Sequence, residues 1–177
     1  MAGRAGHLDG LADGEGTAVF SPMGPVVRQD MAAFLYRLAG SPEFTPSDAD
    51  KARFTDVDES TPHYKEVLWL ASTGIAEGFK QADGTFQFGG NRVVVRQDMA
   101  AFLKRLADYQ KADPALGEGV AFTDVDGRTP HVDDIQWLAR TGVAGGYEDG
   151  SFGGMRLVVR QDMAAFLHRM DTNVLTK

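Results

Sequence analysis

With 177 residues, 43% of them hydrophobic, the chain is long enough to bury one or two modest cores. A net charge of −7 leaves no broad positive field for nucleic acid or an anionic membrane. The absence of cysteine removes disulfides, thiolate metal sites and thiol nucleophiles. No run approaches the roughly 18 consecutive apolar residues of a membrane span, and residues 1–10 lack the apolar stretch of a secretory signal, so membrane insertion is not expected and an export signal is expected to lie outside this chain.

In chain order, the first marked segment is VVRQDMAAFL at residues 26–35, and the same string returns at 94–103 and 158–167. A catalytic site needs its acid, base and nucleophile once, so one local device in triplicate predicts binding or scaffolding. Each copy predicts a helix opening near Arg28, Arg96 or Arg160. Met31, Phe34, Leu35 and Leu38 keep the i, i+3, i+4, i+7 spacing of a core face, repeated as Met99, Phe102, Leu103 and Leu106, and as Met163, Phe166, Leu167 and Met170. The alanine pairs beside them lack bulk and allow neighbouring backbones to come close.

A second block precedes the string in two copies, opening with FTDV at Phe54 and Phe122. Thr61 and Thr129 are expected to cap a first helix, with Pro62 and Pro130 at its first position. Gly74 and Gly142 are expected to close it in the left-handed conformation. An acidic-Gly turn with Phe leads on to the second helix. The chain thus divides into 1–40, a partial first unit holding its second half only; 41–53, a connector; 54–107, the second unit; 108–121, a connector; and 122–172, the third unit. Residues 10–35 align without a gap to 142–167, but 1–9 are too short for an FTDV block and first helix, so the first unit reads as truncated.

Both connectors are rich in Pro, Asp, Ser or Gly and read as surface segments. His63 and His131 occupy equivalent places, so a structural role in the Thr-Pro-His turn is expected rather than metal ligation. Trp69 and Trp137 fall nearly opposite the apolar stripe of the first helix. Two readings stay open for them: a flat face for a sugar ring, or a seal between two units.

Two rival functions are weak. DVDES and DVDGR begin like a calcium loop, yet counting from Asp56 and Asp124 the sixth positions are Thr61 and Thr129 and the twelfth are Val67 and Ile135, where Gly and a bidentate Glu are wanted. No G-x-S-x-G, H-E-x-x-H or isolated carboxylate pair marks an enzyme. No catalytic residue, metal or cofactor is expected.

The unit of FTDV, an amphipathic helix ending near WLA, Gly-Ile or Gly-Val, an acidic-Gly turn with Phe, then a β-branched residue and Arg opening a second helix resembles the S-layer homology (SLH) motif. The resemblance implies an all-α fold of helix-loop-helix repeats in a pseudo-threefold domain around a central helical bundle, here with its first repeat truncated. It also implies grooves between adjacent motifs that hold an anionic secondary cell-wall polysaccharide, often carrying pyruvate ketals, and so a non-catalytic module anchoring an exported protein to the bacterial cell surface. Where the family usually reads Thr-Arg-Ala-Glu, this chain has Val-Arg-Gln-Asp. Val27, Val95 and Val159 replace the capping Thr, which costs about 1 kcal/mol each. The Arg is kept three times.

Arg at a helix start works against the helix dipole, and becomes sensible if guanidinium and free amides converge on a carboxylate or phosphate. The plainer alternative pairs each Arg with a carboxylate, Asp98 on the same turn or Asp56 and Asp124 of the FTDV block. The expected ligand residues are Arg28, Arg96, Arg160, Trp69 and Trp137, with Gly78 and Gly146 permitting close approach and Asp83 and Asp149 in the acidic turns. Replacing Arg96 and Arg160 with Ala is expected to weaken wall binding and spare the fold. Protein interaction or self-assembly remains the alternative function, and a helix borrowed from another chain by the truncated unit would give a homodimer.

Overall fold

The computed structural model describes residues 11–12 and 18–176. The opening of the first unit, at 1–10 and 13–17, lies outside the described residues. Six α-helices carry the fold: α1 (Arg28–Leu38), α2 (Asp48–Lys51), α3 (Tyr64–Ser72), α4 (Arg96–Tyr109), α5 (Val132–Arg140) and α6 (Arg160–Met170), followed by a π-helical turn over Asp171–Leu175. Two antiparallel hairpins are the only strand pairs among the described residues, β1 (Leu11–Ala12) with β2 (Ala18–Val19) and β3 (Phe79–Lys80) with β4 (Phe86–Gln87). The fold is mostly helical, as the repeats imply, with small hairpins at the acidic-Gly turns.

The three long second helices open at Arg28, Arg96 and Arg160, where the repeated string places them. Their N-cap valines are extended, with φ near −98° in each case, and supply no side-chain cap. The missing cap is replaced by the neighbouring unit. The amides of Arg28 and Gln29 donate to the carbonyls of Arg92 and Gly90, those of Arg96 and Gln97 to Arg156 and Gly154, and those of Arg160 and Gln161 to Gly24 and Pro22. The first two amides of each of these helices therefore have backbone partners and are not free for an anion, which corrects that part of the sequence expectation.

Just before each helix, a short extended segment joins the units. The Val26 amide donates to the Val158 carbonyl at 2.8 Å, Val158 to Val94 at 2.9 Å, and Val94 to Val26 at 2.9 Å, closing a ring of hydrogen bonds among three segments distant in sequence. All three valines are at most 1% exposed. The Met, Phe and Leu positions of the second helices pack beneath them into one continuous core.

The first helices start later than the Thr-Pro signal predicts. α3 and α5 begin at Tyr64 and Val132, with His63 and His131 as N-caps at φ 59° and 61°. Thr61 and Thr129 instead close the turns ahead of them, each Oγ1 accepting from the amide of Asp58 or Asp126. A left-handed residue cannot continue a helix, so two turns intervene before the first helical residue. At the other end, Gly74 and Gly142 stand at φ +76° and +70°, the expected left-handed closure. The first connector holds α2, a single turn fixed by a capping box between Ser47 and Asp50.

Candidate functional site

The three arginines are buried, at 7%, 6% and 5% exposure for Arg28, Arg96 and Arg160, and each reaches into another unit. Arg28 Nε donates to the Phe88 carbonyl at 2.9 Å, Arg96 Nε to Phe152 at 2.9 Å, and Arg160 Nε to Phe20 at 2.8 Å. Aromatic rings surround the guanidinium groups: Phe79, Phe88 and Phe102 for Arg28, Tyr147, Phe152 and Phe166 for Arg96, and Phe20 and Phe34 for Arg160. Burial lowers Arg28 to about 10 and pushes Arg96 down as well, with Asp98 opposing the shift at Arg28 and Tyr147 at Arg96. Both stay charged at neutral pH.

The aspartates of the FTDV block grip the same peptides from the other side. Asp56 accepts from the Phe88 and Gly89 amides at 2.7 and 2.8 Å, and Asp124 from Phe152 and Gly153 at 2.6 and 2.8 Å. One peptide is thus held at its N–H by an aspartate of its own unit and at its carbonyl by an arginine of the preceding one. Burial would raise the Asp124 carboxyl, but the two amides outweigh it and hold it below the usual carboxylate range. Neither aspartate forms an ion pair with the arginines, so the alternative pairing with Asp56 and Asp124 is replaced by this shared clamp on a backbone segment.

Beside Arg96 lies a hollow of about 480 Å³, where the loop after α5 faces α6. Its floor holds Arg96, whose Nη2 donates to Gly145 at 3.0 Å, together with Tyr147 and Phe166. Asp162 and Arg169 of α6 stand at its rim, and Arg169 is exposed, with a 3.4 Å hydrogen bond to the Val143 carbonyl. Two guanidinium groups against one carboxylate leave the hollow with excess positive charge in a chain that is acidic overall. The sequence reading included Arg96 and Gly146 but missed Arg169 and Tyr147. Arg169 lies in the last turn of α6, where a basic residue reads as complementing the helix dipole. Its equivalent Arg105, donating to Ile75 at 3.2 Å, is the sequence signal that was available. Two more hollows, about 490 and 470 Å³, recur at equivalent places and contain Gln29, Asp56 and Arg92 in one and Gln97, Asp124 and Arg156 in the other.

Gly146 lines this hollow with Arg96, and the other expected site residues lie elsewhere. Trp69 is 2% exposed and edge-on to Tyr36 and Tyr109, with ring centroids 5.2 and 5.5 Å away. It seals helices together and offers no face to a sugar. Trp137 is half-buried, with the Lys104 ammonium 5.5 Å from its ring centre. Gly78 and Gly146 are required by the fold itself: a Cβ would lie 2.5 Å from the Phe54 ring and 2.7 Å from the Gln87 carbonyl at Gly78, and 2.9 Å from the Phe122 ring and 2.7 Å from the Ser151 carbonyl at Gly146. Asp83 and Asp149 are exposed and fold back on their own turns, accepting from the amide and hydroxyl of Thr85 and Ser151, which hold both carboxyls below their ordinary range. His63 and His131 lie 3.7 and 3.9 Å from Asp30 and Asp98, and no group of three or more metal-ligating side chains occurs among the described residues. No helix among the described residues is long and apolar enough to cross a membrane.

Repeated units locked by arginine and aspartate on shared peptides, with a hollow of excess positive charge beside Arg96, define a helical repeat module. The S-layer homology domain family model matches residues 53–100 and 121–164, two repeats that together cover just over half of the chain. The chain belongs to the S-layer homology domain family. Domains of this family are cell-wall anchoring modules of surface proteins that bind secondary cell-wall polymers, and the family is a non-catalytic one. No match to a curated protein was found.

Proposed function

We propose that this chain is the wall-binding module of an exported bacterial surface protein, and that it holds an anionic secondary cell-wall polysaccharide in the hollow between the second and third units. The observation that carries this is the convergence of Arg96 and Arg169 on one hollow with Asp162 as its lining carboxylate. Arg96 retains N–H donors beyond those given to Phe152 and Gly145, and its stacking on Tyr147, Phe152 and Phe166 fixes its plane before any ligand arrives. A planar carboxylate on a sugar, as in a pyruvate ketal, suits such a fork.

The same reading takes 54–107 and 122–172 as complete units and 1–40 as a partial one, set about a pseudo-threefold axis. The closed valine ring and the repeated passage of Arg28, Arg96 and Arg160 into another unit support that arrangement. A second reading, binding of a protein partner or self-assembly, is favoured by one feature. Met23, Val93, Met155 and Leu157 are 68%, 44%, 71% and 47% exposed beside the segments that form the valine ring.

Pull-down on purified wall sacculi, before and after chemical removal of the secondary polymer, separates the two. Retention on intact sacculi that disappears on stripping is expected. Retention that ignores stripping would favour the protein partner.

A further inference from the structure

The two hollows of about 490 and 470 Å³ share one design. In each, the second residue of a long helix meets the FTDV aspartate and the Gly-Gly-x-Arg turn of the next unit: Gln29 with Asp56 and Arg92, and Gln97 with Asp124 and Arg156. The glycine pair makes room for both long side chains. A Cβ on Gly90 or Gly154 would lie 2.7 or 3.0 Å from the glutamine Oε1, and one on Gly89 or Gly153 would lie 2.8 or 2.9 Å from the arginine Cδ. Where the third glutamine, Gln161, meets its neighbour, Ser21 and Pro22 stand in place of the glycines and Gln161 is exposed.

The polar groups of these hollows are uncommitted. Gln29 and Gln97 are half-buried, yet neither side-chain amide has a hydrogen-bond partner among the described residues. An amide held there is disfavoured unless water or a ligand completes it. Arg92 lies 4.3 Å from the centre of the Phe79 ring and Arg156 4.1 Å from that of Tyr147, which fixes each guanidinium plane. Among the described residues, neither guanidinium donates a hydrogen bond to the protein. Asp56 and Asp124 accept one backbone amide at each oxygen and keep further lone pairs.

One guanidinium and one carboxylate, not joined as an ion pair, leave each hollow close to neutral, unlike the hollow beside Arg96. Such a set suits an uncharged ligand whose groups donate and accept at once. Vicinal hydroxyls do both. We propose that these two hollows bind neutral sugar residues, the aspartate accepting from one hydroxyl, the arginine donating to another and the glutamine amide joining neighbouring hydroxyls. No residue lines both these hollows and the one beside Arg96, so the anionic-glycan reading stands or falls separately.

The test is heteronuclear NMR on the isotope-labelled full chain, with maltotriose, cellotriose, mannotriose and tri-N-acetylchitotriose as probes. The side-chain amide signals of Gln29 and Gln97, assigned by their loss in Gln29→Ala and Gln97→Ala, are expected to shift saturably with at least one probe. Arg92→Ala and Arg156→Ala remove exposed side chains, and each is expected to weaken binding about tenfold or more at its own hollow and not at the other. Circular dichroism checks their folds. Arg169→Glu is expected to leave neutral-sugar binding unchanged, whereas failure of the anionic reading shows as unaltered sacculus binding by that variant. No saturable shift with any probe overturns the proposal. So does a shift that inorganic phosphate reproduces, which would make these arginines an anion site, or sugar binding that the folded Arg169→Glu variant loses.

Discussion

Arg96→Ala is expected to cost much of the chain's stability, although Arg96 reads from sequence as an exposed ligand residue. Its Nε bonds the carbonyl of the buried Phe152 and its Nη2 that of the exposed Gly145. Hydrogen bonds to charged groups contribute about 1.5–3 kcal/mol, toward the upper part of that range when the partner is left unsatisfied away from water. Taking about 2 kcal/mol for Phe152, about half that for Gly145 because water can replace the donor, and about 1 kcal/mol for the stacked rings gives roughly 4 kcal/mol in all. A chain of this size loses about 2–4 °C per kcal/mol, so the melting midpoint is expected to fall by roughly 8–16 °C. Calorimetry alongside urea unfolding measures it, and a midpoint within about 2 °C of the unaltered chain would refute the assignment of Arg96 to the joint between units. Weak wall binding by this variant alone would therefore say little about the ligand.

Gly146→Ala is expected to destabilise by about 1–3 kcal/mol, since the new Cβ falls on the Phe122 ring and the Ser151 carbonyl. An unchanged urea midpoint with altered sacculus binding would instead make it a glycine of ligand approach. Asp124→Ala removes the acceptor for two amides, and its depressed carboxyl sets a sign. The stability it contributes is fully present above the unfolded value of about 3.9 and is lost as pH falls through the lower folded value. The melting temperature of the unaltered chain should therefore drop more steeply below about pH 4 than that of Asp124→Ala, and parallel curves would remove Asp124 from the joint.

Much of the fold was legible because repetition made each signal count two or three times. The second-helix starts and the Gly74 and Gly142 closures rest on local chemistry, which a sequence carries in full. The start of α3 and α5 did not follow the Thr-Pro signal, because Thr61 and Thr129 bond back to the preceding turn and the histidines take the left-handed position. Trp69 lies off the apolar stripe, yet α3 is covered on a second side by Tyr109 of α4, a contact that helical periodicity cannot announce. For the arginines, the sequence marked the right residues and missed their partners. Backbone carbonyls of Phe20, Phe88 and Phe152 leave no trace in residue type, and neither do the carbonyls that take the place of a Thr cap. Arg169 was passed over because a basic residue at a helix end already has an ordinary explanation.

Arg169→Glu tests the cationic hollow with least disturbance to the fold, because this side chain is exposed and its one hydrogen bond, to Val143, is long. Binding isotherms on sacculi that retain their secondary polymer should show at least about a tenfold loss of affinity with a melting temperature shifted by no more than about 2 °C. Wild-type affinity in the folded variant would contradict the account and move the ligand elsewhere on the module.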